Sequence, residues 1–121
     1  MKMFGAQTLK QNTEFHRAYG RGKVKASPML VTYVVKNRGL GCRYGITAAK
    51  KLGSAVERNR CRRIIRAAFS SIYPLCSGNY DIVFVARFKT KKLKSCDLVP
   101  VMQKHLTELG VIQNRAGADF E

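Results

Sequence analysis

The sequence is short of acidic residues and of long apolar runs. It has 7 Asp and Glu against 23 Lys and Arg in 121 residues, a formal net charge of +16. So few carboxylates, spread along the chain, offer no convincing cluster for two-metal catalysis. No apolar run approaches the roughly 18 residues that a membrane-spanning helix needs. The positive charge that is present predicts a polyanionic partner, either nucleic acid or an anionic membrane surface.

Cysteine is also sparse, and its spacing excludes a metal site. The chain has no Cys-x-x-Cys pair and no histidine at zinc spacing from a cysteine, so no zinc site is expected. The four thiols are predicted to be free and buried or half-buried: Cys42, Cys61, Cys76 and Cys96. Residues 1–10 are too short and too mixed for a signal peptide, and a cytoplasmic location is expected.

Length and hydropathy predict one domain. Hydrophobic residues make up 45% of the sequence and aromatic residues 9%, which is enough for a packed core. Recognisable periodicity ends near residue 112. We therefore expect a single domain over residues 1–112 and a disordered tail over residues 113–121.

Three strands and three helices are predicted. A short helix capped by Asn12 or Thr13 runs to about Tyr19, before two glycines. Strands are expected over 29–36, 42–48 and 80–87, the first two as a hairpin and the third in the sheet centre because of its dense apolar run. A helix capped by Ser54 runs to about Tyr73, and a last helix over about 97–109 is capped by Ser95. The order αββαβα predicts an α/β (α+β) two-layer sandwich.

The helix after Ser54 has one apolar side and one cationic side. The apolar residues are Cys61, Ile64, Ile65, Ala68, Phe69 and Ile72. Arg58, Arg62 and Arg66 align at i, i+4 and i+8, and Asn59, Arg60 and Arg63 lie beside them. A merely solvated face would interleave Glu with Arg, because like charges one turn apart destabilise a helix. Arginine in this pattern favours bidentate phosphate contacts.

This segment carries a family resemblance. Residues 50–66, KKLGSAVERNRCRRIIR, closely resemble the signature of the ribonuclease P protein family: paired basic residues, Gly, Ala-Val, an Arg-Asn-Arg core and further basic residues. The likeness extends to about Ile112. Cys61-Arg62 and Ala67 depart from the usual pattern, and Ala67 leaves the helix more basic.

The resemblance implies a fold and a set of roles. The family fold is an α/β sandwich with a left-handed βαβ crossover. The arginine helix would bind the catalytic RNA through Lys51, Arg58, Asn59, Arg60, Arg62, Arg63 and Arg66. A central cleft would hold the single-stranded 5′ leader of precursor tRNA on Phe15, Tyr19, Tyr33, Lys50 and Arg87. The chain would act in a one-protein, one-RNA endoribonuclease in which the RNA binds most of the Mg²⁺ and carries catalysis, so this chain needs no catalytic residue, protein-bound metal or organic cofactor.

Several alternatives stay open from the residues themselves. Phe15, Tyr19 and Tyr33 fit a core as well as a base-stacking surface. Lys89, Lys91, Lys92 and Lys94 fit a solvated loop or a second RNA contact. Asp81 is interpreted as structural. The chain could also be a stand-alone RNA-binding or ribosome-associated module, or a nuclease using His16 or His105, although these histidines form no evident general-base pair.

Overall fold

The structure, a computed structural model, describes residues 7–112, so the predicted tail lies outside the described residues. The strands are Gln7–Thr8 (β1), Lys23–Ala26 (β2), Leu30–Lys36 (β3), Arg43–Thr47 (β4) and Tyr80–Ala86 (β5). The helices are Asn12–Arg21 (α1), Ala55–Ile72 (α2) and Ser95–Glu108 (α3). Short 3₁₀ turns lie at Lys50–Leu52, Tyr73–Leu75 and Phe88–Lys92. The predicted α+β class is confirmed.

The strands form one sheet in the order β1-β4-β5-β3-β2. β5 is central, as its apolar run predicted, and it pairs antiparallel with β3 and parallel with β4. The expected hairpin between β3 and β4 is therefore wrong, because β5 lies between them. α2 connects the parallel pair β4 and β5, and the left hand of that crossover stays a prediction from the resemblance.

The segment between β3 and β4 passes around the beginning of β5 instead of closing a hairpin. The Asn37 backbone N–H donates to the Asn79 carbonyl at 3.0 Å, and the Tyr80 N–H donates to the Gly41 carbonyl at 3.2 Å. Turn residues such as Asn37 and Gly39 therefore marked a reversal correctly. They could not show that a strand from later in the chain enters between the two arms.

Two strands were missed. β1 has only two residues, which is too short for any alternation pattern. β2, KVKA, is exposed at all four positions and lies at the sheet edge, where lysine is common because it blocks pairing with other chains. Because the usual strand signal is one buried face, an exposed edge strand does not show it.

One face of the sheet carries the main core against α2 and α3. The predicted apolar side of α2 is confirmed, with Ile64 half-buried and the other five residues buried. Ser54 caps α2 as predicted: its hydroxyl accepts from the Glu57 N–H at 3.2 Å, and the Glu57 carboxylate accepts from the Ser54 N–H at 2.9 Å. α1 has Gln11 as its N-cap rather than the predicted Asn12 or Thr13. α3 begins earlier than predicted. Lys94, not Ser95, is its N-cap, because the Asp97 carboxylate accepts from the Lys94 N–H at 2.9 Å.

The other face carries a smaller cluster under α1. Leu9, Ala18 and Val83 are buried there, with Phe15 and Tyr33 packed against them. α1 crosses this face at the end where β5 begins, since Arg17 contacts the Lys36 carbonyl and Glu14 contacts Arg43. Toward the other end the apolar residues are less covered: Val31 and Val85 are half-buried and Val24 is exposed.

The cysteines are free, but not all are buried. Cys61 is buried, Cys42 and Cys76 are half-buried, and Cys96 is exposed, contrary to expectation. A hydrogen bond between the Cys42 and Cys76 thiols lowers the pKa of Cys42 and raises the pKa of Cys76. Cys96 is exposed because it lies in the first turn of α3, on the side away from the sheet-facing Leu98 and Met102.

Candidate nucleic-acid interface

The arginines of α2 divide into two rows. Arg58, Arg62 and Arg66 are half-buried along the flank of the apolar face, and Asn59, Arg60 and Arg63 are exposed. The Nε–H of Arg58 is buried and has no hydrogen-bond partner among residues 7–112. In the same range, no α2 arginine lies within ion-pair distance of a carboxylate. The predicted cationic side is thus present and largely unneutralised.

Two of these arginines have local hydrogen bonds. The Arg62 guanidinium donates to the Asn59 side-chain oxygen at 3.1 Å, and Arg60 Nε donates to the Lys91 carbonyl at 3.3 Å. The second contact ties α2 to the 3₁₀ turn after β5. Lys91 Nζ donates to the Leu52 carbonyl at 2.6 Å and lies 3.6 Å from the Glu57 carboxylate. Lys91 is therefore part of the scaffold of the helix rather than a free loop residue.

The N-terminus of α2 is partly closed to anions by the Glu57 side chain. Gly53 has a φ of +142°, and a Cβ there would lie 1.9 Å from the Glu57 carboxylate. Glu57 thus occupies the first turn, where its hydrogen bond from the Ser54 N–H, together with Lys91, lowers its pKa. Lys50 and Lys51 remain exposed just before this turn.

A cavity of about 320 Å³, here called the aromatic cavity, lies between α1, β4 and α2. Its lining includes Phe15, His16, Tyr19, Thr47 and Arg62. Because Arg62 belongs to the half-buried arginine row, that row reaches the wall of the aromatic cavity. The cationic helix and the aromatic residues of α1, predicted as separate binding elements, are therefore contiguous.

The aromatic rings are held in fixed relation to the sheet. The Tyr19 ring packs edge-on against Tyr33 with centroids 4.9 Å apart, and the Tyr19 hydroxyl is 2.7 Å from the Thr47 hydroxyl. Phe15 lies over Gly45, where a Cβ would come within 2.5 Å of its ring. Tyr19 is 37% exposed, while Phe15 and Tyr33 are half-buried in the small cluster. These three rings therefore contribute both to the small core and to the surface, and Tyr19 is the most accessible of them.

Lys50 and Arg87 do not line the aromatic cavity as the structure describes it. They are exposed and follow the C-terminal ends of the neighbouring strands β4 and β5, whose last registered pair is Thr47 and Val85. Alternation along β5 places Arg87 on the same sheet face as Val83 and Val85. Both cations thus lie at the end of the sheet that α1 leaves less covered, outside the cavity wall.

A charged network fixes α1 on the sheet. The side chain of Asp81 is fully buried, and its carboxylate accepts from Arg43 Nε and Nη2, both at 2.8 Å, and from Asn37 Nδ2 at 2.8 Å. Arg43 also donates to Glu14 of α1 at 3.0 Å. Hydrogen bonds from the Gln11 and Lys10 N–H groups, then Arg43, lower the pKa of Glu14, and Asp81 raises the pKa of Arg43. The structural interpretation of Asp81 is supported, because a buried carboxylate with these partners positions α1 and the cavity.

The sequence did not assign several accessible residues to these binding surfaces. Thr47, His16 and Asn12 line the aromatic cavity, and Phe88 is 56% exposed with Lys91 Nζ 5.5 Å from its ring centroid. Gly45 was the available signal for Thr47. A glycine within a strand marks a close approach, and its i+2 neighbour lies on the same face.

The two histidines lie on opposite faces of the sheet. His16 is on α1, whereas His105 on α3 is buried with its Nδ1 3.0 Å from the Thr32 hydroxyl. Burial lowers the pKa of His105. Among residues 7–112, no three His, Cys, Asp or Glu side chains are grouped as metal ligands would be. No helix in that range is long and apolar enough to cross a membrane.

Comparison with known proteins gives one consistent result. The model of the family described as Ribonuclease P matches residues 3–110. The ribonuclease P protein component of Clostridioides difficile is 42% identical over 84 residues, covering 69% of this chain and 74% of the relative. That of Clostridium beijerinckii is 34% identical over 113 residues, covering 88% and 90%. The solved RNase P protein of Staphylococcus aureus superimposes with a TM-score of 0.77 at 30% identity, covering 89% of this chain and 99% of that one.

Proposed function

The chain belongs to the ribonuclease P protein family, and from that membership we propose that it is the RNA-binding subunit of a cytoplasmic ribonuclease P ribonucleoprotein. In this proposal one copy of the chain binds one catalytic RNA and the single-stranded 5′ leader of precursor tRNA. The RNA performs the endonucleolytic cut that removes the leader. The chain contributes binding and charge neutralisation.

One observation carries the proposal: Arg62 lies on the arginine helix and also lines the aromatic cavity with Phe15 and Tyr19. A cationic helix alone would suit any polyanion. A cationic helix that borders stacking aromatics suits an RNA whose bases are unpaired, because rings bind bases of any identity at roughly 1–3 kcal/mol each. Leaders of different sequence require that tolerance.

We propose that the exposed row of α2, with Lys51 and the half-buried arginines, binds phosphates of the catalytic RNA. Support comes from the absence of carboxylate partners for α2 arginines within residues 7–112. Guanidinium groups free of carboxylates can make bidentate contacts with phosphate. Lys50 and Arg87, at the less covered end of the sheet, would then contact leader phosphates that leave the aromatic cavity.

Mg²⁺ in this proposal is held mainly by the RNA. Support comes from residues 7–112, in which no three metal-ligating side chains are grouped together. His16 and His105 also cannot act together, since the sheet separates them. The roles that remain for this chain are to place the leader and to reduce repulsion between RNA strands.

The proposal is tested by holoenzyme affinity for precursors whose leaders are shortened one nucleotide at a time, with mature tRNA as the control substrate. Affinity should fall stepwise once the leader is too short to cross the cavity, and mature tRNA should bind weakest. A stand-alone RNA-binding or ribosome-associated module would give affinities independent of leader length. That result would overturn leader binding.

Salt dependence tests the electrostatic part separately. If the chain neutralises about 6–10 phosphates, log K for the catalytic RNA should fall by roughly 0.7–0.9 per phosphate for each tenfold rise in salt. A nearly flat dependence would contradict phosphate binding by the arginine helix, whatever the leader experiment shows.

A further inference from the structure

A second basic cavity lies at the other end of the sheet, where β3 ends and β5 begins. This cationic cavity has a volume of about 560 Å³, and its lining includes Arg17, Arg21, Lys23, Lys36, Tyr80 and Leu109. Thr47, in the aromatic cavity, is level with Val85 near the end of β5, while Tyr80 begins that strand. At about 3.3 Å per residue, the two cavities lie roughly 15–20 Å apart along the sheet.

The local structure brings four cationic side chains close together: Arg17, Arg21, Lys23 and Lys36. Arg17 and Arg21 are one turn apart on α1, and Gly22 allows the chain to turn sharply into β2 and present Lys23. A Cβ at Gly22 would lie 2.8 Å from the Val34 carbonyl, so only glycine fits this close approach. Val34 pairs with Lys23 in the register of β2 and β3, and Lys36 ends β3.

The negative charges near the cationic cavity do not balance these four cations. The C-termini of α1 and α3 point toward it, and each carries about half a negative charge. Asp81 lies 3.9 Å from Arg17, but it is already bonded to Arg43. Glu108 is 3.6 Å from Lys25. Counting both dipoles and Asp81 in full still leaves a surplus of about two positive charges.

The helix dipoles account for the position of Arg21 but not for the clustering of all four cations. Arg21 is in the last turn of α1, where a cation is stabilising without any ligand. Lys23 and Lys36 lie on strands, are exposed, and have no ion-pair partner among residues 7–112. Like charges held together without acceptors repel, so an external anion would stabilise the group.

We propose that the cationic cavity binds a backbone phosphate of RNA, at a contact separate from the arginine helix and the aromatic cavity. The inference rests on the proposed function, because it takes the partner to be RNA of the ribonuclease P holoenzyme. The phosphate is supplied either by the catalytic RNA or by the body of the precursor tRNA. The chain thereby contacts RNA at both ends of its sheet.

The test compares two double variants in reconstituted holoenzyme. Lys23→Gln/Lys36→Gln removes two cavity charges, and Lys25→Gln/Lys104→Gln removes two exposed lysine charges outside it. Salt slopes are measured for binding to the catalytic RNA and for holoenzyme binding to precursor tRNA. The cavity variant should lower one slope by about 0.7–0.9, the value for one phosphate, and the control should lower neither. A lower salt slope for catalytic-RNA binding would identify the catalytic RNA as the source of the phosphate, and a lower slope for precursor binding would identify the precursor tRNA. Equal slopes for the two variants in both binding reactions would overturn the site.

A measurement on the unmodified protein removes any dependence on folding of the variants. Acetylation by an amine-reactive ester should be slower at Lys23 and Lys36 in the RNA complexes than in free protein, and unchanged at Lys104. Absence of protection at both cavity lysines in both complexes would also overturn the site. Arg63→Ala in the same assays separates the two hypotheses: if it weakens binding and the cavity variant does not, only the cavity is lost.

Discussion

Among residues 7–112, α2 and α3 enclose nineteen buried apolar residues on one face of the sheet, whereas α1 encloses three on the other. The first face is held by close packing. The second is held by a few apolar contacts and by the network of Asp81, Arg43 and Glu14. Folding free energy is therefore concentrated on the first face, which leaves the second free to carry exposed rings and cations.

α2 belongs to both sides of this comparison. Its apolar arc, including Cys61, Ile65 and Phe69, is buried in the large core, and its arginine row begins at the border of that arc. Because packing against the core fixes the position of α2, the proposed RNA-binding arginines on this helix are also held in fixed positions. Arginines held by a packed helix lose less conformational entropy on binding than arginines on a mobile loop would lose.

The largest expected effect is on the packed face. Ile65→Ala removes a fully buried side chain and should lower the free energy of unfolding by about 2–5 kcal/mol, measured by denaturant titration. Ile65→Val should cost only about 0.5–1.5 kcal/mol. Affinity of the remaining folded protein for the catalytic RNA should not change. A loss below that of the valine variant would show that the core is not concentrated here.

The next effect is on the cationic side of α2. Arg63→Ala should weaken binding to the catalytic RNA by about 1.5–3 kcal/mol, the range for a hydrogen bond to a charged group. Because Arg63 is exposed, stability should change by no more than about 0.5 kcal/mol. Arg63→Lys is the matched control, since it keeps the charge and loses the bidentate geometry. Parallel losses of stability and affinity would mean that the two sides of α2 are not distinct.

A comparable or smaller effect is expected in the aromatic cavity. Tyr19→Ala should reduce holoenzyme preference for precursor over mature tRNA by about 1–3 kcal/mol, the range for stacking one base. Tyr19→Phe keeps the ring and loses only the contact with Thr47, so it should keep most of the preference. Tyr19 suits this test better than Phe15, whose ring belongs partly to the small core. Unfolding of Tyr19→Ala instead of a changed preference would assign the ring to the core.

The smallest effect concerns pH and again separates the faces. Burial lowers the pKa of His105, so the unfolded chain takes up this proton first as pH falls. Stability from the neutral imidazole is complete above the ordinary histidine value of about 6.5 and is lost as pH falls through the folded pKa. Denaturant unfolding at about pH 7.5 and pH 5.5 should show this loss, and His105→Gln should reduce it. Glu14 does not interfere, because its lowered pKa places its titration below this window.

Features of the fold that depend on neighbouring residues could be predicted from the sequence, and features that depend on distant residues could not. The capping box of Ser54 and Glu57, the two sides of α2 and the central position of β5 depend on neighbouring residues or on local composition, and each is present in the structure. The pairing of β3 with β5 depends on residues about fifty positions apart, and local pattern favoured a hairpin instead. β2 was not predicted because an exposed edge strand has no buried face and therefore no alternation of apolar and polar residues.

The candidate site divides in the same way. The arginine row could be predicted because helical periodicity is local. That Arg62 reaches the cavity of Phe15 and Tyr19 depends on how α1 and α2 meet across β4, which no local pattern indicates. Lys50 and Arg87 were placed in one groove with the rings on the strength of resemblance. The structure places them just beyond the strand ends, at the same end of the sheet, and their contact with the leader stays a prediction.

The central position of β5 also bears on how the chain folds as it is synthesised. β5 is the last of the described strands to leave the ribosome, and among residues 7–112 it is the only bridge between the β4 and β3 sides of the sheet. Until residue 86 has emerged, the β2–β3 hairpin and the β1–β4 pair have no common partner, and α1 has no complete surface to pack on. Long-range pairing of this kind delays folding and leaves strand edges open for longer. We therefore expect the nascent chain to acquire both cavities in one late step, after the whole arginine helix has already emerged.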